Sequence, residues 1–384
     1  MSFSCRSSLL RRSLSCVSRA QTSRSYRRFC KAAERSTLIE EFEGNAAAEE
    51  TVRLLLEGNR VKLAETITLI ESAHPVKRLL GQSIITAVLE QFHRNHPSTF
   101  RVGITGPPGA GKSTFIETFG TFLTSQGHKV AVLAVDPSSS TTGGSLLGDR
   151  TRMPQLSRNP NAYIRPSPSS GAQGGVTRST GETILLCEAT GYNIILVGRV
   201  GVGQAEHAVA DMVDMFVLLT PPGAGDELQG MKRGVVELAD MVIVTKADGE
   251  LMKAANHVKA EYLSALRFLK RQSKLYYPKV HLISCQENRG INEIWEEMRG
   301  FRQIMQESGH FESKRHHQQK AWMWNHIRHQ ILSSFRRHPV VQESYAKYEE
   351  LVVDGVLTPG AASDDILWYR NPMQSMKSWL LMVC

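Results

Sequence analysis

Eight consecutive residues, Gly106, Pro107, Pro108, Gly109, Ala110, Gly111, Lys112 and Ser113, satisfy the pattern G-x-x-x-x-G-K-[ST]. The chemistry of this spacing is the capture of a polyphosphate. Glycines let successive backbone N–H groups turn inward around an anion, at the positive end of a helix. Lys112 would reach the β- and γ-phosphates, Ser113 would ligate Mg²⁺, and Thr114 continues the contact surface. The context agrees: an apolar run at 100–105 precedes the loop and a helical pattern at 114–124 follows it.

A second group of residues could read the base. Residues 245–248 are Thr-Lys-Ala-Asp, close to the N-K-x-D guanine signature, with Thr245 in place of Asn. Asp248 would accept hydrogen bonds from guanine N1–H and the exocyclic amine, while Lys246 would lay its methylene stem along the ring. Adenine lacks that donor pair, and sites built on such pairs reject the wrong partner by about 10⁴-fold. Ser284 and Cys285 end the next strand-like run and could back the base. Asp136, in Val-Asp-Pro, could bind Mg²⁺ or orient an attacking water, and Asp149 lies in a glycine-flanked loop that could close on metal and phosphate. Gly201 could donate its N–H to the γ-phosphate, so that loss of the phosphate frees its loop. Lys112, Asp136, Asp149 and Gly201 are thus the candidate catalytic residues, and Ser113, Asp136 and Asp149 the candidate metal ligands.

These residues need elements to hold them. Near-continuous apolar runs at 100–105, 129–135, 193–197, 215–219, 241–245 and 279–284 predict strands buried on both faces, hence a mostly parallel sheet flanked by helices. The motifs lie at or beyond the strands' carboxyl ends, where ligands sit in such sheets. Leu63, Ile67 and Ile70, then Leu80, Ile84, Val88 and Phe92, recur at helical spacing on either side of Pro75. Residues 314–337 predict a long helix with Trp324, Ile327, Ile331 and Phe335 on one face. The expected organisation is a leader over 1–33, a helical extension over 34–97, a P-loop domain over 98–300 and a helical arm over 301–384.

Charge places the leader. The formal charge is +9, and eight positive charges fall before Glu34, the first acidic residue. Arg-rich, Ser-rich and acid-free is the composition of a mitochondrial presequence, and with the leader set aside the chain is near neutral, which argues against a nucleic-acid partner. No run of eighteen apolar residues suggests a membrane span. Cys187, Cys285 and Cys384 remain beyond the leader, with no CxxC pair or disulfide framework, as in a reducing compartment.

Taken together, GITGPPGAGKSTFIETFG, VLAVDPSSSTTGGSLLGDRTRM, RPSPSSGAQGGVTRST, VGVGQAEHAVADMVDMFVLL and GDELQGMKRGVVELADMVIVTKAD resemble one family. It comprises the mitochondrial methylmalonic aciduria type A proteins and their bacterial ArgK/MeaB-like counterparts, GTPase chaperones of the cobalamin-dependent methylmalonyl-CoA mutase. The resemblance covers roughly residues 36–365. It implies GTP/GDP and Mg²⁺ as ligands, a homodimer built by the C-terminal arm, and GTP hydrolysis that gates adenosylcobalamin loading in the mitochondrial matrix. It implies the mutase as partner, facing a third switch at residues 225–234, and admits cobalamin adenosyltransferase as another.

One departure stands out. The family pattern after the third main strand is Glu-Thr-Val-Gly-Val-Gly-Gln, whereas this chain has Gly198-Arg199-Val200-Gly201. The carboxylate that supports Mg²⁺ is absent, which implies slow hydrolysis. Three other readings stay open from sequence: a nucleotide-binding module without turnover, a kinase, and a metallochaperone using histidines such as His310, His316, His317, His326, His329 and His338.

Overall fold

The computed structural model describes residues 46–72, 74–92, 99–136, 153–168, 175–199, 206–223, 233–268 and 275–368. Three helices come first: α1 (Ala46–Leu56), α2 (Arg60–Glu71) and α3 (Pro75–Phe92). Asn59 starts α2, its side-chain oxygen accepting from the N–H groups of Val61 and Lys62 at 3.0 and 3.1 Å. Leu63, Ile67 and Ile70 are buried as their spacing predicts. On α3 the buried face is Gly81, Ile84, Ile85 and Val88, whereas Leu80, expected on that face, is 40% exposed. Gly81 decides this, because a Cβ there would lie 3.0 Å from Ile70 on α2.

The strands are β1 (Phe100–Thr105), β2 (Val130–Asp136), β3 (Ala162–Pro168), β4 (Ile194–Arg199), β5 (Met215–Thr220), β6 (Met241–Val244) and β7 (Lys279–Leu282). They form one seven-stranded sheet in the order β3-β2-β4-β1-β5-β6-β7. Every pairing is parallel. β1, β5 and β6 are buried along their whole length, as unbroken apolar runs require. β3 was not expected from sequence. Its AYIRPSP carries two prolines, which lack the N–H a ladder needs, and it is accommodated because β3 lies at the sheet edge and pairs with β2 alone.

The remaining helices are α4 (Lys112–Ser125), α5 (Pro154–Arg158), α6 (Gly175–Ala189), α7 (Glu206–Ala210), α8 (Arg233–Leu238), α9 (Met252–Phe268), α10 (Ile291–Glu307), α11 (His310–Arg336), α12 (Pro339–Val353) and α13 (Pro359–Trp368). Phe115 and Phe119 on α4 stack at 5.3 Å, and Phe119 meets Trp295 of α10 edge-on at 6.2 Å. The expected boundary at residue 300 falls inside α10. Phe301, Met305 and Phe311 join the same buried cluster as the β1 side chains. The chain divides into one compact unit spanning 46–333 and a second whose described part spans 334–368. In the second unit α12 and α13 pack on each other.

A network of buried charge fastens the first turns of α11 to the end of the sheet where β1 and β5 begin. Arg101 on β1 forms two 2.7 Å hydrogen bonds to Glu188 of α6. Arg315 of α11 donates to both oxygens of Asp214, the residue before β5, at 2.8 and 2.7 Å. It also reaches the Thr99 carbonyl at 3.1 Å. Burial alone would raise the Asp214 carboxyl, but the hydrogen bonds and charge of Arg315, helped by Arg101, hold it below the usual carboxylate range. Such a carboxylate stabilises the fold above its ordinary pKa, and the contribution is lost as pH falls through the lowered value.

Arg315→Met should therefore lower the free energy of unfolding by about 3–5 kcal/mol at neutral pH, because Asp214 is left buried without its cation. The deficit should shrink in acid as Asp214 becomes protonated. Urea denaturation of both forms across pH checks this; a deficit below about 1 kcal/mol at pH 7 would show that the network is dispensable.

Candidate functional site

β1 runs directly into the phosphate loop, in the middle of the sheet between β4 and β5. Gly106 passes so close to the end of β5 that a Cβ on it would fall 2.2 Å from the Leu219 carbonyl oxygen. No other residue fits there. Gly109 and Gly111 take left-handed φ values of 80° and 77°. Gly111 is the N-cap of α4 and contributes no side-chain cap, so the first turn of that helix keeps its N–H groups for an anion. Lys112 Nζ donates to the carbonyls of Gly106 and Pro107, both at 2.7 Å, and burial pushes its pKa down. A backbone that only glycine permits, an uncapped helix start and one ammonium converge here, and together they fit a nucleotide polyphosphate. Pro108, Gly109 and Thr114 lie on the open side of the loop, while Ala110 is buried beneath it.

Ser113 occupies the second position of α4 and is half-buried, so its hydroxyl is the described side chain best placed for Mg²⁺. β2 ends at Asp136, two strands from β1, and only the backbone of that residue is described. Asp149, Gly201 and most of 225–234 lie outside the described residues.

The base loop follows β6. Thr245 is buried, and its hydroxyl lies 2.9 Å from the Ala110 carbonyl and 3.2 Å from that of Thr220, so it donates to one or the other. This ties the base loop to a phosphate loop 135 residues earlier. The threonine in place of asparagine therefore keeps a polar tether between the two halves of the site. Lys246 is exposed and left-handed at φ 54°, a conformation that costs a non-glycine residue on the order of 1–3 kcal/mol. Two bonds hold the turn: Ala247 N–H to the Ile283 carbonyl at 2.9 Å, and Arg289 Nη2 to the Ala247 carbonyl. Asp248 is half-buried, and its Oδ2 accepts from the Ser284 hydroxyl at 2.6 Å. Its other oxygen has no partner among the described residues, and so suits a donor on a ligand.

Ser284 thus acts by orienting Asp248, and its own oxygen accepts from the Glu287 N–H at 3.1 Å. Cys285 is different. Burial pushes its thiol up and the charge of Asp248 adds to this, against a lowering hydrogen bond with Thr118. Its side chain is partly buried and packs against the core cluster. Among the described residues no group of three or more His, Cys, Asp or Glu comes together that could hold a metal. His310, His316, His317, His326 and His329 are strung along α11, and His338 precedes α12.

Residues 63–339 match the family described as "Methylmalonyl Co-A mutase-associated GTPase MeaB". The chain belongs to this family. A mouse relative, "Methylmalonic aciduria type A homolog, mitochondrial", is 57% identical over 319 residues, covering 82% of this chain and 77% of the relative. "GTPase ArgK" of Escherichia coli is 42% identical over 303 residues, covering 79% and 89%. Among solved structures, "LAO/AO transport system kinase" superposes with a TM-score of 0.67 at 35% identity, covering 84% of this chain and 97% of that one.

Within this MeaB-family site, sequence reasoning missed Leu219, Thr220, Thr118 and Arg289. The first two act through main-chain carbonyls, which no side-chain motif announces. Arg289 lies in a polar turn whose only local signal is the glycine at 290, left-handed at φ 81°.

Asp248→Asn should weaken GTP binding by at least about 10²-fold, because two charge-assisted bonds are lost. Ser284→Ala, which frees the carboxylate without removing it, should weaken it by about 3–10-fold. Titration with fluorescent guanine and adenine nucleotides reads both; equal GTP affinity in Asp248→Asn and the unaltered protein would remove Asp248 from the base site.

Proposed function

We propose that this chain is a mitochondrial, GTP-dependent chaperone of methylmalonyl-CoA mutase. The observation that carries the reading is the Thr245 tether, which joins the loop of Asp248 to the loop of Gly106 to Ser113. Family membership, the mitochondrial name of the mouse relative and the Arg-rich, acid-free leader support it. In this reading Gly106 to Thr114 hold the triphosphate, with Lys112 on its β- and γ-oxygens. Lys246 and Asp248 hold guanine, Thr245 tethers their loop to the phosphate loop, and Ser284 and Cys285 lie behind. Ser113, Asp136 and Asp149 would hold Mg²⁺, which would supply neutralisation of phosphate charge. Gly201 reads the γ-phosphate. Hydrolysis to GDP then changes the loops that meet the mutase, residues 225–234 among them, and so gates adenosylcobalamin loading. Cobalamin adenosyltransferase is a second partner that this reading admits.

The protein acts as a homodimer in this account. Trp324 on α11 is 56% exposed, and Ile327 and Ile331, at helical spacing from it, are half-buried, an apolar face that suits a second copy. GTP and ATP turnover, measured with and without the mutase, tests the whole reading. The expected result is guanine-selective turnover accelerated by the mutase. Turnover of ATP alone, or indifference to the mutase, would overturn it.

A specific feature favours slow intrinsic turnover. Gly198 sits buried near the end of β4, aligned with Ile104 of β1 and Ala134 of β2. A Cβ built on it would point at Ile116 Cδ1, 2.9 Å away, on the helix that carries Ser113 one turn earlier. A glutamate here would therefore extend along the helix that begins the metal site, and this chain has no side chain to do so. Gly198→Glu combined with Ile116→Val, which makes room, should raise single-turnover GTP hydrolysis by about 10-fold or more. A rate no faster than that of Ile116→Val alone would separate slow turnover from the missing carboxylate.

A further inference from the structure

At the opposite end of the sheet from the nucleotide loops lies a second cavity, of about 540 Å³. Asp214 and Asp240, the residues before β5 and β6, form part of its wall. Phe301 and Met305 of α10 and Phe311 of α11 give it an apolar floor, and Lys314 stands at its edge. The strand β5 separates it from Thr220 by roughly 20 Å, so it is not a lobe of the nucleotide site. Its volume falls in the range of small-molecule pockets.

The charges around it are unequal in kind. Asp214 is neutralised by Arg315 at 2.7 Å. Asp240 is not: its Oδ2 accepts only the Phe216 N–H, at 2.8 Å, and among the described residues it has no ion pair. Burial pushes its carboxyl up, and the charge of Lys314 acts on it from a distance in the other direction. The Lys314 ammonium spends one hydrogen on the Asp214 main-chain carbonyl at 2.8 Å and has two more to offer. A carboxylate and an ammonium thus flank one apolar-floored cavity without touching each other. A half-buried carboxylate held by a single N–H, with no ion pair among the described residues, suits a ligand that carries its own cation.

We propose that this cavity binds a small zwitterion of the amino-acid class with an apolar side chain. The ligand's ammonium meets Asp240, its carboxylate meets Lys314, and its side chain packs on Phe301, Met305 and Phe311. An amine alone would leave Lys314 unanswered and face its repulsion. A carboxylic acid alone would face Asp240.

The test is ligand-observed NMR and calorimetry on the full chain with three probes of one carbon skeleton: L-phenylalanine, phenethylamine and hydrocinnamate. Saturable binding of the amino acid, at least tenfold tighter than either one-headed analogue, is the expected result. Asp240→Asn, which keeps an acceptor for Phe216 N–H, and Lys314→Met should each weaken it by at least tenfold. Guanine-nucleotide affinity, read at the other end of the sheet, should stay unchanged in both variants and reports that they are folded. No saturable binding by the amino acid, an amine that binds as tightly, or binding that survives in either variant would each overturn the proposal. Should nucleotide binding fail in a variant, Met305→Trp, which fills the cavity without touching its charges, takes its place and must abolish amino-acid binding.

Discussion

The packing of Gly106 against the Leu219 carbonyl is the constraint from which the site follows. β1 ends against β5 with no room for a Cβ. The chain must therefore leave the sheet at that point, and two left-handed glycines, Gly109 and Gly111, bring it round into α4. A helix that starts on a glycine without a side-chain cap keeps its terminal N–H groups for an outside acceptor. Phosphate affinity is in this sense a by-product of how tightly two strands pack.

The base loop is seated by the same strand pair from the other side. Thr220 ends β5, and its carbonyl shares the Thr245 hydroxyl with Ala110 of the phosphate loop. A shift of β5 relative to β6 would loosen both halves of the site at once. Lys246 pays for this arrangement with a left-handed backbone, which the bonds of Ala247 on either side hold in place. Strain concentrated at one residue between two anchored loops is the usual mark of a site whose geometry is set in advance.

Much of this was legible in the sequence, and for physical reasons. Strands buried on both faces must be apolar throughout, so β1, β2, β4, β5 and β6 announced themselves. The run at 279–284 also marked a strand, but β7 lies at the sheet edge with Lys279 exposed and lacks the expected burial on both faces. β3 did not announce itself, because edge strands tolerate Pro166 and Pro168, residues that argue against a central strand. The turn at 106–111 was readable since its left-handed backbone demands glycine at fixed positions. Ser284 was legible only as a neighbour of the base, because its work is done on Asp248 and not on a ligand. The carbonyls of Leu219 and Thr220 had no signature, as every residue carries one. Leu80 was placed on the wrong face because the contact that matters there is made by a glycine, which an apolar pattern does not register.

The parallel sheet gives this chain two chemically distinct ends, and each is anchored differently. At the carboxyl ends of the strands, neutral hydroxyls and main-chain carbonyls hold loops that must stay open to a charged ligand. At the amino ends, buried ion pairs join β1, α6, β5 and α11: Arg101 with Glu188, and Arg315 with Asp214. Ion pairs removed from water are worth little as net stability, yet breaking one is costly, so they fix which partner an element may have. α11 carries the exposed Trp324, and its first turns are locked to the sheet by that network. Strands β1 and β5 run from the locked end to the phosphate loop. A displacement of the start of α11 would therefore have to move Asp214 and Thr99, and with them the two strands whose far ends meet at Gly106. This is a covalent and hydrogen-bonded route from α11 to the loop at Gly106, and it passes through Arg315.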